Sequence, residues 1–323
     1  MENYILGIDL GGTKVMAAVF DGEGQIVSRA RAKTKAWRGG EMVFQTVART
    51  ATNAVERAGI TSQEVRAIGI GAPGPLDPDT GVIIESANMN MHGFPLGPRL
   101  SETFGCPAIV DNDVNAGTYG EYRVGAGRGA RDVLGVFVGT GIGGGIIADG
   151  ALYHGFSKNA GEIGHIIIKA DGPRCGCGNR GCMEALGSRT AMTRDLRKAV
   201  KRGDKTSLKD KLKQDTELVS GSDFGKAYRA GDKTVVKIMN RAARMIGIGV
   251  GSLVNVLSPE VVVLGGGVVE AMEDDFIARI EAAARDVAFD FMAKDLKVVR
   301  AALGDDAGVT GAAMLAREAL ERV

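Results

Sequence analysis

The sequence is short of the features that mark several large classes of protein. It holds 8 prolines in 323 residues, and its glycines follow no three-residue period, which excludes a collagen-like fibre. Charge is balanced, with 40 Lys+Arg against 39 Asp+Glu, so no global basic field is available to hold nucleic acid. The longest apolar run, Val133 to Ala148, is broken by glycine and is shorter than the ~20 residues that span a bilayer. The opening Met-Glu-Asn-Tyr lacks the positive segment of a secretory leader. These absences predict a soluble, cytoplasmic chain with neither a nucleic-acid nor a membrane partner.

Some nucleotide-site motifs are missing as well. No G-x-x-x-x-G-K-[ST] segment occurs, so this is not a P-loop enzyme. Gly139-Thr-Gly-Ile-Gly-Gly144 fits G-x-G-x-x-G, but Gly145 to Ala148 continues as a strand where a dinucleotide site needs a helix. Asp223-Phe-Gly225 has no H-R-D loop to make it a protein-kinase motif.

Glycine is abundant instead, at 48 residues, about twice the usual ~7%. Hydrophobic content of 45% and charged content of 24% are ordinary, so the excess sits at particular backbone positions. At roughly 100–200 residues per domain, the length predicts two domains.

The glycines organise the chain. Tyr4 to Ile8, Val15 to Phe20 and Gln25 to Lys33 read as a three-strand meander, with Asp9-Leu-Gly-Gly-Thr-Lys14 at its first turn. A second hairpin, from Leu134 to Gly139 and onward, matches Leu6 to Gly11 at an ungapped offset of 128 residues, which also carries Asp21-Gly22 onto Asp149-Gly150. A duplicated βββ unit is the reading; chance likeness between glycine-rich strands is the alternative. Helical spacing marks 41–58, Asp232 to Val256, a stretch from Gly265-Gly-Gly267 toward 285, and 307–322. Strands are read at Val65 to Ala72, Pro107 to Val110, Glu260 to Leu264 and Lys297 to Ala301. Such alternation predicts α/β sheets. The basic stretch 189–213 reads as a solvated helix face.

Bare glycine turns let backbone N–H groups approach an anion. Asp9, Thr13 and Lys14 add a carboxylate, a hydroxyl and an ammonium, a set suited to magnesium and phosphates, although a plain hairpin turn would use the same glycines. Gly265, Gly266 and Gly267 stand at a strand-to-helix turn that could admit a flat adenine or be an ordinary tight turn. Asp111-Asn-Asp-Val-Asn-Ala116 follows a strand, where α/β proteins place ligands. A carboxylate there can accept a proton from an attacking hydroxyl, or merely cap a helix. Cys175, Cys177 and Cys182, with His165 ten residues upstream, supply a Cys3His set for structural zinc. Three cysteines in eight residues of a cytosolic-looking chain favour metal over disulfide, with reduced thiols the alternative. Glu162 and Glu184 flank this loop and suit sugar hydroxyls. Cys106 reads as a small buried hydrophobe, and His92 and His154 as loop residues.

Asp9-x-Gly-Gly-Thr-Lys14, Asn112-Asp113-x-Asn-Ala116, Gly139-Thr-Gly-x-Gly-Gly-Gly145, Gly161-Glu-x-Gly-His165, Cys175-x-Cys-Gly-x-x-Gly-Cys-x-Glu184 and Leu264-Gly-Gly-Gly-Val268 occur in one order. Together they resemble the ROK family (repressor, open reading frame, kinase), and within it the bacterial glucokinase branch, over essentially the whole chain. The cysteine–glutamate motif is the most specific of them. The resemblance implies an actin-like ATPase (ribonuclease H-like) fold, duplicated, with two domains and a central cleft. We draw the domains at 1–116 plus 307–323 and at 117–306, the larger carrying the zinc loop.

The resemblance further implies ATP-dependent phosphorylation of the 6-hydroxyl of glucose, with Asp113 as the base. Asn112, Glu162, His165 and Glu184 would hold sugar hydroxyls, with Asn88 a further contact and His165 also a zinc ligand. Gly11, Gly12, Thr13, Lys14, Thr140 and Gly141 would position phosphates, and Asp9 would anchor magnesium. The family suggests a dimer or tetramer. Asp111 stands where glutamate is commoner, Val114 where alanine is, and Met89-Asn-Met91 lacks the Pro/Trp pattern usual beside the sugar. That leaves other acceptors open: fructose, allose, N-acetylmannosamine or N-acetylglucosamine. Polyphosphate stays open as donor. Family repressors carry a helix-turn-helix before the first strand; only three residues precede Tyr4, so a non-catalytic sugar-sensing repressor is not expected.

Overall fold

The computed structural model describes residues 4–86, 89–212, 218–272 and 274–322. The chain opens with β1 (Tyr4–Leu10), β2 (Lys14–Phe20) and β3 (Ile26–Lys33), followed by α1 (Gly40–Arg57) and β4 (Val65–Ala72). Three short strands follow, β5 (Leu76–Asp77), β6 (Val82–Ser86) and β7 (Met91–Phe94), and then α2 (Leu96–Phe104), β8 (Ala108–Asn112) and α3 (Asp113–Val124). The second hairpin is β9 (Val133–Val138) and β10 (Ile142–Ala148), with β11 (Ala151–Leu152) after it. Four helices come next: α4 (Met183–Gly187), α5 (Arg189–Lys201), α6 (Gly221–Arg229) and α7 (Lys233–Leu257). The chain closes with β12 (Val261–Gly265), α8 (Gly267–Ala271), α9 (Asp274–Arg285), α10 (Asp290–Ala293), β13 (Lys297–Arg300) and α11 (Ala307–Glu321).

The first sheet runs β3-β2-β1-β4-β8 and the second β11-β10-β9-β12-β13. In the first, β1–β2 and β2–β3 are antiparallel, and β1–β4 and β4–β8 parallel. In the second, β9–β12 and β12–β13 are parallel. The strand order is the same in both, so the 128-residue offset marks a real structural repeat that extends beyond the matched hairpin. A third sheet, β5-β6-β7, had no counterpart in the sequence reading. Its β7 places His92, itself exposed, in a strand opposite Glu85, not in a loop.

Two compact units result. One takes in the chain to Gly129, Gly145–Gly161 and Asp305 onward; the other holds Ala130–Gly144 and Glu162–Gly304. The boundary drawn at residue 116 therefore falls inside α3. That helix packs so closely on α11 that a Cβ at Gly120 would lie 2.7 Å from the Ala307 carbonyl oxygen. Residues 117–129 accordingly belong with the first unit.

In the first unit β1 is buried on both faces, as a central strand covered on both sides should be. Leu6, Ile8 and Leu10 pack in one cluster with Val43, Phe44, Val47 and Ala51 of α1. Gly7, of opposite parity, faces α11, where a Cβ would lie 2.1 Å from the Val309 carbonyl oxygen. Met89 and Met91 are fully buried in the same cluster as α1, so they build core. Cys106 is half-buried against that core, and burial pushes its thiol up.

Three elements differ from the sequence reading. The strand at 107–110 continues to Asn112. The long helix read from 265 toward 285 is two helices, interrupted at Met272, whose backbone is extended and whose side chain is buried. The basic segment does begin a helix, α5, but its first residue, Arg189, turns inward, as described below.

Candidate active site

In the first unit the β1–β2 turn closes when the Gly11 N–H donates to the Lys14 carbonyl at 2.9 Å. Thr34 holds the turn from the side, its hydroxyl donating to the Gly11 carbonyl at 2.6 Å. Gly12 and Thr13 are exposed, and a Cβ at Gly12 would meet nothing. Lys14 is engaged with Asp305 at 3.0 Å, in a pair exposed enough to exchange readily for another anion. Asp9 sits at the end of β1, hard against Gly308, where a Cβ would lie 2.8 Å from its carboxyl carbon. Burial pushes the Asp9 carboxyl up to about 6; Lys14 opposes this and Asp305 adds to it.

The 111–116 segment is a strand-to-helix turn. Asn112 is the residue that caps α3, its side-chain oxygen accepting from the Val114 and Asn115 N–H groups. Asp113 is therefore not the cap; it is the first helical residue, with Oδ1 accepting from the Val114 N–H at 3.0 Å. Its carboxylate stands where a helix favours negative charge. Asp111 is buried beneath, accepting at Oδ1 from the Asn112 N–H at 2.7 Å and from the Asn115 amide at 2.9 Å.

Asp111 also meets His154 Nε2 at 2.7 Å through Oδ2. His154 is thus a buttress of the Asn112–Asp113 turn, not a bare loop residue. The contact is between residues 43 apart, so no local spacing could announce it. Its pKa is raised, chiefly by the hydrogen bond to Asp111, against burial; nearby Lys158 lowers it and Asp79 raises it. A raised folded value means that the pair's contribution to stability is full below the ordinary His pKa of 6.5 and is lost as pH rises through the folded value. The His154→Gln variant should therefore lose about 1–3 kcal/mol at low pH. The gap in melting temperature from wild type should narrow as pH rises. Thermal melts across that range check this, and a gap independent of pH would contradict it.

The second unit carries the other predicted residues. The β9–β10 turn is closed by the Gly139 N–H donating to the Gly141 carbonyl at 2.9 Å. It is clamped to the start of α5. Arg189 donates to the Thr140 hydroxyl at 2.6 Å, and the Thr190 hydroxyl donates to the Thr140 carbonyl at 2.7 Å. Arg189 is half-buried, and burial lowers its pKa. Packing gives Gly141 a reason of its own to be glycine. The Glu184 carboxylate lies where its Cβ would be, at 2.2 Å. The glycine turn thus admits Glu184, which accepts from the Ile142 N–H at 3.0 Å. Gly266, the residue just before α8, has a positive φ of 88° and fits against the Val138 backbone, where a Cβ would come within 2.7 Å. Gly265 is buried, and a Cβ at Gly267 would meet nothing.

His165, Cys175, Cys177 and Cys182 converge, their four candidate ligand atoms all within 4.8 Å of one another. Cys177 Sγ and Cys182 Sγ are 3.7 Å apart, and Cys175 Sγ and His165 Nδ1 are 3.6 Å apart. Tetrahedral bonds of ~2.3 Å to sulfur and ~2.0–2.1 Å to nitrogen put ligand atoms about 3.5–3.8 Å from each other, so the group could hold a metal ion. Burial first, then Cys177 and Cys175 beside it, push the Cys182 thiol up to about 12. Three neighbouring thiolates need a cation. His165 turns its other nitrogen, Nε2, toward Glu162 at 3.8 Å. The Cys175 thiol donates to Glu184 at 3.7 Å, joining the cysteine loop to the carboxylate. Asn88 lies outside the described residues.

Two sheets of one strand order, each with a glycine turn after its first strand, define an actin-like ATPase fold. The ROK family profile matches residues 5–319. A glucokinase of Halalkalibacterium halodurans is 34% identical over 319 residues, covering 98% of this chain and 96% of its own. Among solved structures, a ROK hexokinase from Thermus thermophilus is 35% identical with a TM-score of 0.81, covering 99% of this chain and 100% of its own. A ROK family glucokinase from Streptomyces griseus, in complex with glucose and AMPPNP, is 33% identical with a TM-score of 0.84, covering 98% and 99%. The chain belongs to the ROK family. Among the described residues, no helix is long and apolar enough to cross a membrane.

Proposed function

We propose that this chain transfers the γ-phosphoryl group of ATP to the 6-hydroxyl of glucose. One observation carries the reading: Asp113 opens α3 directly behind a separate cap, Asn112, and over a buried support, Asp111. A carboxylate at a strand-to-helix turn that is not itself the helix cap can serve as a general base. Asp113 accepts the proton of the attacking hydroxyl. Asn112, through its amide NH2, and Glu162, His165 and Glu184 hold the remaining hydroxyls, with Asn88 a further contact. Gly11, Gly12, Thr13, Lys14, Thr140 and Gly141 position phosphates, and Gly265 to Gly267 receive the adenine.

Asp9 would hold magnesium, whose charge offsets that of the phosphates. A carboxyl that burial raises to about 6 gains from such a cation. The Cys3His group would hold structural zinc, leaving His165 Nε2 protonated and facing the Glu162 side. The glucokinase relatives supply the sugar and the donor in this reading.

Steady-state kinetics with coupled ADP detection test it. The panel is glucose, fructose, allose, N-acetylmannosamine and N-acetylglucosamine, with ATP and with polyphosphate. Glucose with ATP should give the highest kcat/KM. Another sugar or donor ahead by about tenfold or more would overturn the assignment. So would the absence of turnover with every sugar, as in a sugar-sensing repressor.

A further inference from the structure

Part of the basic face of α5 lines a cavity of about 640 Å³ within the second unit. Arg194, Lys198 and Arg202 follow one another at four-residue intervals along α5 and its C-cap. Lys233, Lys237 and Arg241 repeat the interval on α7, which packs on α5. Both rows line the cavity, joined there by Lys169 and Arg180 of the cysteine loop. Like charges four apart on a helix stand ~5–6 Å from each other and destabilise it. Two such rows around one hollow therefore oppose folding, and a solvated face does not need them to share a cavity.

The counter-charge is incomplete. Among the described residues, three carboxylates line the cavity against eight cations. Asp195 engages Arg194 at 2.9 Å and Arg241 at 3.3 Å, and Asp204 engages Arg202 at 3.2 Å. Among the described residues, no carboxylate lies within ion-pair distance of Lys169, Arg180, Lys198, Lys233 or Lys237.

We propose that this cavity binds a small anion carrying several phosphate groups, at a site separate from those of the phosphoryl donor and the sugar. Each row spans about 12 Å of helix, the reach of a short chain of phosphates or of two phosphates on one sugar. Arginine offers paired donors to phosphate oxygens, and lysine a point charge. The volume is that of a small-ligand pocket. No aromatic ring lines it, so a nucleic-acid strand would find no stacking partner. None of the residues assigned above to catalysis, sugar, donor or metal lines it.

The test is calorimetric titration of the full-length, metal-loaded protein with AMPPNP and magnesium filling the donor site. Inorganic tripolyphosphate and a hexose bisphosphate are the two probes, at constant ionic strength, with sulfate as the control anion. The expected result is saturable binding of one probe at one site per chain, unaffected by sulfate. The probe that saturates identifies the source, an inorganic chain or a phosphorylated sugar. In the triple variant Lys198→Ala, Lys233→Ala, Lys237→Ala, affinity should fall about tenfold, the sum of three exposed charge contacts. Its kcat and KM for sugar and ATP should be unchanged. All three lysines are exposed, so the variant should melt as wild type does; should it not, the single Lys237→Glu variant makes the same comparison. Saturation by neither probe, equal affinity in the variant, or equal displacement by sulfate would overturn the site. The kinase reading is scored separately by the kinetics.

Discussion

The Asp113→Ala variant should fold normally and lose phosphoryl transfer by about 10²–10⁴-fold in kcat, the range that a positioned general base supplies. Binding should change far less, because the hydroxyl is held by other side chains in this reading. The structural cost is small for a stated reason. The cap of α3 is Asn112, whose side chain satisfies the Val114 and Asn115 N–H groups, so removing Asp113 leaves the helix start intact. Among the losses are one charge at a helix N-terminus, about 0.3–1 kcal/mol, and a hydrogen bond from the Val114 N–H, which Asn112 still satisfies. Asn112→Ala should show the reverse pattern: a stability loss near ~1 kcal/mol from the missing cap, with a smaller fall in kcat. Stopped-assay kinetics and thermal melts on the two variants separate the roles. Turnover in Asp113→Ala within about tenfold of wild type would remove it from the mechanism.

The repeat was legible because it rests on local pattern. Short apolar strands around bare glycine turns, ungapped over a full hairpin, leave little freedom for any other pairing. The cysteine–histidine group was legible because donor type and spacing nearly specify its geometry. The supports behind these groups were not. His154 reaches Asp111 across 43 residues, and Arg189 reaches Thr140 across 49. Both are contacts between elements, and nothing in either residue's neighbourhood announces them. Gly141 was legible as a glycine but not for its cause. Glycine at a turn signals that something comes close; only the fold says that the neighbour is the Glu184 carboxylate.

That same carboxylate makes the cysteine loop the second place where a single change should act strongly. Glu184 follows Cys182 by two residues, and its two oxygens are held by the Ile142 N–H and the Cys175 thiol. Cys175 and Cys182 pack together with Ala185 in one small buried cluster beside the candidate ligands. A bound cation would tie the four ligands together, and it would let the three thiols ionise together. Cys182, fully buried and with its thiol pushed up to about 12, is the ligand least able to form a thiolate without one. Cys182→Ser should therefore reduce metal from about one ion per chain to almost none. The sugar KM should rise by about 10–100-fold, the range seen when support around a metal site is lost, since His165 loses its metal bond and Glu184, two residues from Cys182, the metal-held shape of its loop. The KM for ATP should move much less, because the β9–β10 turn is also clamped to α5 by Arg189 and Thr190. Prolonged chelation of wild type should reproduce the split. Elemental analysis alongside kinetics decides it: a folded, active protein free of metal, or a Cys182→Ser variant with an unchanged sugar KM, would show that the loop holds its shape by other means.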